Sequence, residues 1–187
     1  MRKLIVFNNV SVDGYFVDAN GDMSWAHEGT QDPEWNAFVS GNASGGGELL
    51  FGRKTYELMA SFWPTPAAAQ MNPVVAERMN AMSKVVFSRT LDQASWSNTK
   101  LVKGDLVEEV RKLKQAPGQG MTILGSGSIV AQLARAGLVD EFQLVVSPIV
   151  LGQGRTMFEG LQEKLRLKPA QTRTFGNGKV VLCYVPA

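Results

Sequence analysis

The chain has 187 residues, 44% of them hydrophobic and 19% charged, with a formal net charge of +2. That profile suits a single folded domain, residues 1–187, and the small charge with scattered Lys and Arg excludes a nucleic-acid footprint. One cysteine, Cys183, and one histidine, His27, exclude a disulfide scaffold and argue against a Cys/His zinc site, so no metal is expected.

Leu4 to Phe7 are apolar at consecutive positions, the pattern of a strand buried on both faces. The run is too short for a signal sequence. No stretch approaches the roughly 18 apolar residues of a membrane span, and a cytoplasmic protein is expected. Val12-Asp13-Gly14-Tyr15 breaks the strand, and residues 17–31 read as a loop. Asp32-Pro33-Glu34 reads as a helix start, with Asp as N-cap and Pro at the first position. Trp35, Phe38 and Val39 supply its apolar stripe, and Gly45-Gly46-Gly47 separates it from a short strand, Glu48 to Phe51. A second helix begins at Gly52-Arg53-Lys54-Thr55 and ends at Trp63-Pro64-Thr65-Pro66. Asn72-Pro73 caps a third. Lys84 to Thr90 is strand then turn, and Leu101-Val102 is a short strand. Asp105 to Glu108 resembles a capping box, with Glu108 and Lys112 spaced as an i,i+4 pair. Met121 to Leu124 is a strand that enters Gly125-Ser126-Gly127-Ser128, after which Ile129, Val130, Leu133 and Ala134 mark a helix. Phe142 to Val146 is a strand. From Leu167 the chain is strand-like, with a hairpin turn at Gly176-Asn177-Gly178 and Cys183 as a buried strand residue. Strands that first alternate with helices and then form hairpins predict an α/β fold. It should have three α-β-α layers around a mostly parallel central sheet, with antiparallel C-terminal strands.

Ligands of such sheets bind beyond the C-terminal ends of the strands. Three of those ends carry one chemistry: Gly52-Arg53-Lys54-Thr55, Ser88-Arg89-Thr90 and Gly125-Ser126-Gly127-Ser128. Each combines hydroxyls or guanidinium with a turn or helix start, whose first N–H groups lack intrahelical partners. Arginine forks, hydroxyls and free N–H groups are what phosphates need. A ligand with several phosphates is the economical inference.

These motifs, with Asn9-Val10-Ser11-Val12-Asp13-Gly14 and the run Ala136-Gly137-Leu138-Val139-Asp140-Glu141 through Ser147-Pro148-Ile149-Val150-Leu151-Gly152, stand in an order that resembles the dihydrofolate-reductase-like superfamily. The likeness covers residues 4–155 and is greatest to the C-terminal reductase domain of bacterial riboflavin biosynthesis. It implies the dihydrofolate-reductase-like fold and NADPH as cofactor. The implied cofactor residues are Val10, Gly14, Gly52, Arg53, Lys54, Thr55, Ser88, Arg89, Thr90, Gly125, Ser126, Gly127, Ser128 and Ile129. Within that set, Val10 and Gly14 would border the nicotinamide. Arg53 and Thr55 would bind phosphates, Ser88 to Thr90 the adenosine 2′-phosphate, and Gly125 to Ser128 the pyrophosphate. Ser126 departs from the family's usual glycine.

The larger departure is in the chemistry. Dihydrofolate reductases hold their pterin with a carboxylate on the first helix, and ungapped counting puts Asn36 at that place. Asp32 reads as a cap and Glu34 as a first-turn acid, which leaves Asp13 as the catalytic candidate; its other reading is a turn residue. Trp25 and Asn36 are candidate substrate contacts. The resulting expectation is a homodimeric NADPH-dependent oxidoreductase acting on a small planar heterocycle or a carbonyl or imine. It would resemble 5-amino-6-(5-phosphoribosylamino)uracil reductase or dihydrofolate reductase. The alternative is an NADP(H)-binding protein without efficient catalysis, a sensor or degenerate paralogue. Binding of a phosphosugar or nucleotide without redox chemistry would use the same phosphate sites.

Overall fold

Apolar residues at successive strand positions need cover on two sides, and the chain supplies it with helices on both faces of one sheet. The computed structural model describes residues 1–28 and 31–187; Gly29 and Thr30, within the expected 17–31 loop, lie outside the described residues. In chain order the elements are β1 (Leu4–Ser11), β2 (Tyr15–Asp18), a 3-10 turn (Ser24–His27), α1 (Pro33–Ser44), β3 (Glu48–Gly52), α2 (Arg53–Phe62), α3 (Pro66–Met71) and α4 (Pro73–Ala81). Then come β4 (Ser83–Phe87), β5 (Thr99–Val102), α5 (Leu106–Gln115), β6 (Met121–Leu124), α6 (Gly127–Arg135), β7 (Glu141–Ser147), β8 (Gly154–Thr156), β9 (Leu167–Thr174) and β10 (Val180–Pro186).

Eight strands form the sheet in the order β5-β4-β3-β6-β1-β7-β10-β9. The first six are parallel, and β10 and β9 close one side as an antiparallel hairpin. This is the expected architecture. Leu4, Val6, Leu50, Val85 and Ile123 point to the α5–α6 side, where Val110, Val130 and Leu133 cover them. Leu49, Phe51 and Val86 point to the other side, against Tyr56, Val75 and Met79. There Trp35, Phe38 and Phe175 form an aromatic cluster over Val145 and Val181. The outer strand β9 carries Lys168 and Pro169 and is largely exposed, a composition that discourages further pairing.

Helix starts follow the sequence signals. The Asp32, Asn72 and Asp105 carboxylate or amide oxygens accept from the N–H groups of Trp35 (2.9 Å), Val75 (3.2 Å) and Glu108 (3.0 Å). Three details differ from expectation. Thr65-Pro66, read as a stop, also starts α3: the Thr65 hydroxyl accepts from Ala68 N at 3.3 Å. The expected loop begins inside β2, which pairs with β8 across the sheet end. The expected Glu108–Lys112 pair is replaced by Glu108–Arg111 (2.8 Å) and Glu109–Lys112 (2.7 Å), because i,i+3 neighbours also face each other.

Two buried lysines fasten helix ends. Lys114, at the end of α5, donates to the Leu138 carbonyl at 2.8 Å and to the Asp140 carboxylate. Lys84 is 1% exposed. Its ammonium donates to the carbonyls of Met79 (2.8 Å), Asn80 (3.2 Å) and Met82 (2.7 Å) at the α4 C-terminus, and lies 4.4 Å from the Trp96 ring centroid. The helix dipole and the ring face favour the charge, while burial pushes its pKa down from 10.5 to about 8. Between those values the unfolded chain holds a proton that the folded one has shed, so stability from this site rises with pH over that window. Lys84→Met should cost roughly 1.5–3 kcal/mol at neutral pH through the lost charged hydrogen bonds. Urea titrations should show the gap from wild type widening from about pH 8 to 10.5.

Candidate functional site

The sheet changes register at the C-terminal end of β6. β1 pairs with β6 only from Leu4 to Phe7, where Leu124 is the last partner. It then continues along β7 to Ser11, opposite Ser147. Beyond Leu124 the chain turns away, so that β6 no longer bridges the upper part of β1 and the β3–α2 junction. The first residues to turn, Gly125 (φ +59°) and Ser126 (φ +58°), are both left-handed. For serine that conformation is costly.

Four contacts hold the turn. Asn8, on β1, accepts from Gly125 N at 2.5 Å and donates through Nδ2 to the Gly125 carbonyl at 3.1 Å. Ser126 N donates to Thr55 Oγ1 at 3.0 Å, and Ser126 Oγ accepts from Gly52 N at 2.8 Å. The starts of α2 and α6 are thereby tied side by side. Their unpaired N–H groups and dipoles converge on one rim, which makes it electropositive. The glycines serve close packing as well as conformation. A Cβ on Gly125 would lie 2.8 Å from Thr55 Cγ2, and one on Gly127 would lie 3.0 Å from the Phe16 ring.

The remaining expected cofactor residues line the same sheet end. Ser88, after β4, folds an ST-turn: its hydroxyl accepts from Thr90 N (3.2 Å) and Leu91 N (3.0 Å), leaving Arg89 and Thr90 exposed. Ser88 N donates to Val102 O at 3.1 Å, which brings the exposed Lys103 alongside. Arg53 and Lys54 are exposed at the α2 start, with Arg53 3.3 Å from Glu57. Ser128 is exposed and Ile129 buried on α6. Val10 is buried toward α6, and Gly14 closes the β1–β2 turn at φ +87°, with its N–H on Ser11 O.

Asp13, in the turn after β1, has both oxygens engaged. Oδ1 accepts from Ser11 Oγ (2.6 Å) and Leu151 N (3.1 Å), and Oδ2 from Gly152 N (2.8 Å). The Ser11 hydrogen bond, opposed by desolvation and aided by the two backbone N–H groups, holds its pKa below the ordinary carboxylate value. It is therefore an ionised clip between two loops at neutral pH. On the substrate side Trp25 is buried, with Nε1 on the Asp22 carbonyl at 3.2 Å. Asn36 faces solvent, and the α1 residues turned toward the sheet are Trp35, Phe38 and Val39. His27 ends the 3-10 turn at the surface; partial desolvation of its ring, then the nearby Lys179 charge, lowers its pKa.

Sequence reasoning missed Asn8, Lys103 and Lys179. An Asn inside an apolar run carries a weak signal, the polar residue in a buried strand. Lys103 and Lys179 carry none, since surface lysines have the same surroundings in sequence.

A six-strand parallel sheet with an added antiparallel hairpin, and two helix starts tied together at the strand ends, define the dihydrofolate-reductase-like class. The chain matches the RibD C-terminal domain family over residues 2–181 and belongs to that reductase-type family. It is 30% identical over 185 residues to the uncharacterized protein YyaP of Bacillus subtilis (strain 168), covering 98% of this chain and 94% of YyaP. A putative riboflavin biosynthesis protein from Shewanella sp. PV-4 shares the fold, with TM-score 0.75, 24% identity and 99% coverage of both chains. The Thermotoga maritima diaminohydroxyphosphoribosylaminopyrimidine deaminase/5-amino-6-(5-phosphoribosylamino)uracil reductase aligns with TM-score 0.69 and 13% identity, over all of this chain and 57% of that one.

Gly125→Ala places a Cβ against Thr55 in a left-handed conformation and should destabilise by about 1–3 kcal/mol. Thr55→Val should cost about 1–3 kcal/mol by stranding the Ser126 N–H. Because both changes strike one turn, the double variant should lose less than the sum in urea titrations.

Proposed function

We propose that the chain is an NADPH-dependent reductase of a small planar heterocycle or a carbonyl or imine. The observation that carries this is the pairing of two helix starts through Gly52, Thr55 and Ser126 at the end of a central strand. The donor set fits a phosphorylated dinucleotide. The α6 start would hold the pyrophosphate, Arg53 and Thr55 an adjoining phosphate, and Ser88, Arg89 and Thr90 the 2′-phosphate, with Lys103 beside them. Val10 and Gly14 would border the nicotinamide ring. NADPH, when bound, supplies a hydride. The chain's own part is to bind, to orient and to exclude water. Trp25 would shield the substrate half. Asp13, ionised and fully engaged, would fix the loops around Gly14 and Gly152 rather than give up a proton. The relatives' riboflavin-pathway chemistry supports a heterocyclic substrate for this chain by family membership alone.

One observation favours a second reading, an NADP(H)-binding protein without efficient catalysis: neither Asp13 nor the exposed Asn36 offers a carboxylic acid to a substrate. NADPH oxidation across a panel of heterocycles, ketones and imines separates the two. Turnover of any of them supports the first, and tight NADPH binding without turnover supports the second.

Arg89→Ala should weaken NADPH by about 10- to 150-fold, the worth of one charge-assisted phosphate contact, and leave NADH nearly unchanged. Equal losses for both cofactors in calorimetric titration would overturn the assignment of the 2′-phosphate. We further propose a homodimer, in which a second copy would cover the exposed late-hairpin edge of the sheet without extending it by strand pairing. Light scattering at micromolar concentration should give twice the 20.3 kDa chain mass.

A further inference from the structure

The sheet carries a concavity at the end opposite the helix-start rim. The N-terminal residues of β3, β4 and β5 lie side by side there, with Glu48 opposite Ser83 and Lys84 opposite Thr99. With the 94–98 loop they line a volume of about 540 Å³ that opens to solvent. The loop is firmly tied to its surroundings. Trp96 is buried; its backbone N–H donates to the Tyr56 hydroxyl at 2.9 Å and its Nε1 to Asn80 Oδ1 at 2.7 Å. Asn98, left-handed at φ +57°, donates through Nδ2 to the Asn80 and Ala81 carbonyls, both at 3.2 Å. Its own carbonyl accepts from Lys84 N at 2.8 Å.

The charges of this concavity do not balance. Two lysines, Lys84 and Lys100, and one acid, Glu48, line it. Glu48 is already taken by Arg2, with Oε2 3.0 Å from Nη2. Lys84 is fully buried and meets only carbonyls and the Trp96 ring, with no carboxylate acting on it. Its three N–H groups are spent, so it acts on the concavity through its field and not by contact. Lys100, exposed on the edge strand, has no partner among the described residues, and neither do the exposed hydroxyls of Ser83 and Ser95. The negative end of α4 is masked on this side, because Lys84, Ser97 Oγ and Asn98 Nδ2 cover its last carbonyls. A free ammonium and two free hydroxyls, backed by a buried cation, suit a small dianion.

We infer that the concavity between the N-terminal ends of β3 to β5 and the 94–98 loop is an anion site in its own right, which takes a small phosphate ester. Lys100, Ser83 and Ser95 are its donors, and Lys84 is the charge behind them. The site lies at the other end of the same strands from the helix-start rim, so an ester held here leaves that rim free. It stands whether or not the chain reduces anything.

The test uses glycerol 3-phosphate as probe and glycerol as its uncharged control, each titrated calorimetrically into the protein at neutral pH. The ester should bind and glycerol should not. Lys100→Glu, an exposed change outside the core, should weaken the ester at least roughly tenfold. Lys164→Glu, the same charge change on an exposed residue before β9 at the other edge of the sheet, should leave it unaltered. A second readout needs only wild type. Reaction of each lysine with an amine-reactive label is followed by peptide mass mapping. Saturating ester should slow labelling of Lys100 and spare Lys54 and Lys103 at the rim. No ester binding below about 10 mM, equal binding of glycerol, equal weakening by Lys100→Glu and Lys164→Glu, or protection of Lys54 and Lys103 in place of Lys100 overturns the inference.

Discussion

The pairing between the Asn8 side chain and the Gly125 peptide is the contact on which the site depends. A parallel strand that turns out of its sheet leaves a buried N–H and a buried carbonyl behind. Here the amide of Asn8 takes both, as the next peptide of a longer β6 would have done. β6 can therefore end while β1 runs on beside β7, leaving a step between them. Everything at the rim follows from that step. Gly125 and Ser126 adopt left-handed conformations, α6 starts where its N–H groups face the opening, and Thr55 and Gly52 bring α2 to the same place.

The same economy governs the loops. Asp13 joins the β1–β2 turn to the Leu151–Gly152 segment, and Asp32 joins the α1 start to the β9–β10 turn through Asn177. Both are carboxylates that accept backbone N–H groups, and both are held below their ordinary pKa, Asp13 first by Ser11 and Asp32 first by Trp35. Carboxylates used this way order a site's border and stay ionised, so they are poor sources of protons.

The fold and the helix-start turns at the strand ends could be read from the sequence because they are local. The Pro and Asp caps of α1 and α4, the apolar runs and the Gly-Ser turn each declare themselves within a few residues. Thr65-Pro66 was ambiguous because one dipeptide can stop a helix or begin another. The substrate half was not legible in the same way. Asn36 counted into the pocket by ungapped spacing, yet it faces solvent and Trp35 takes the inward position. Lys179 and Asn8 act on partners 32 and 117 residues away, a pairing that no local pattern encodes.

That last separation has a consequence for how the chain is made. β1 is the central strand, but its neighbours β6 and β7 are encoded more than a hundred residues later. At roughly 5–20 residues per second of synthesis, Leu4 to Phe7 wait about 6–25 s without either partner. During that interval a strand apolar on both faces lacks both of its sheet neighbours. The arrangement that places β1 beside the rim leaves this strand unpaired until β6 and β7 are made, before β9 and β10 complete the sheet. Pairings this distant in sequence are of the kind that slows folding.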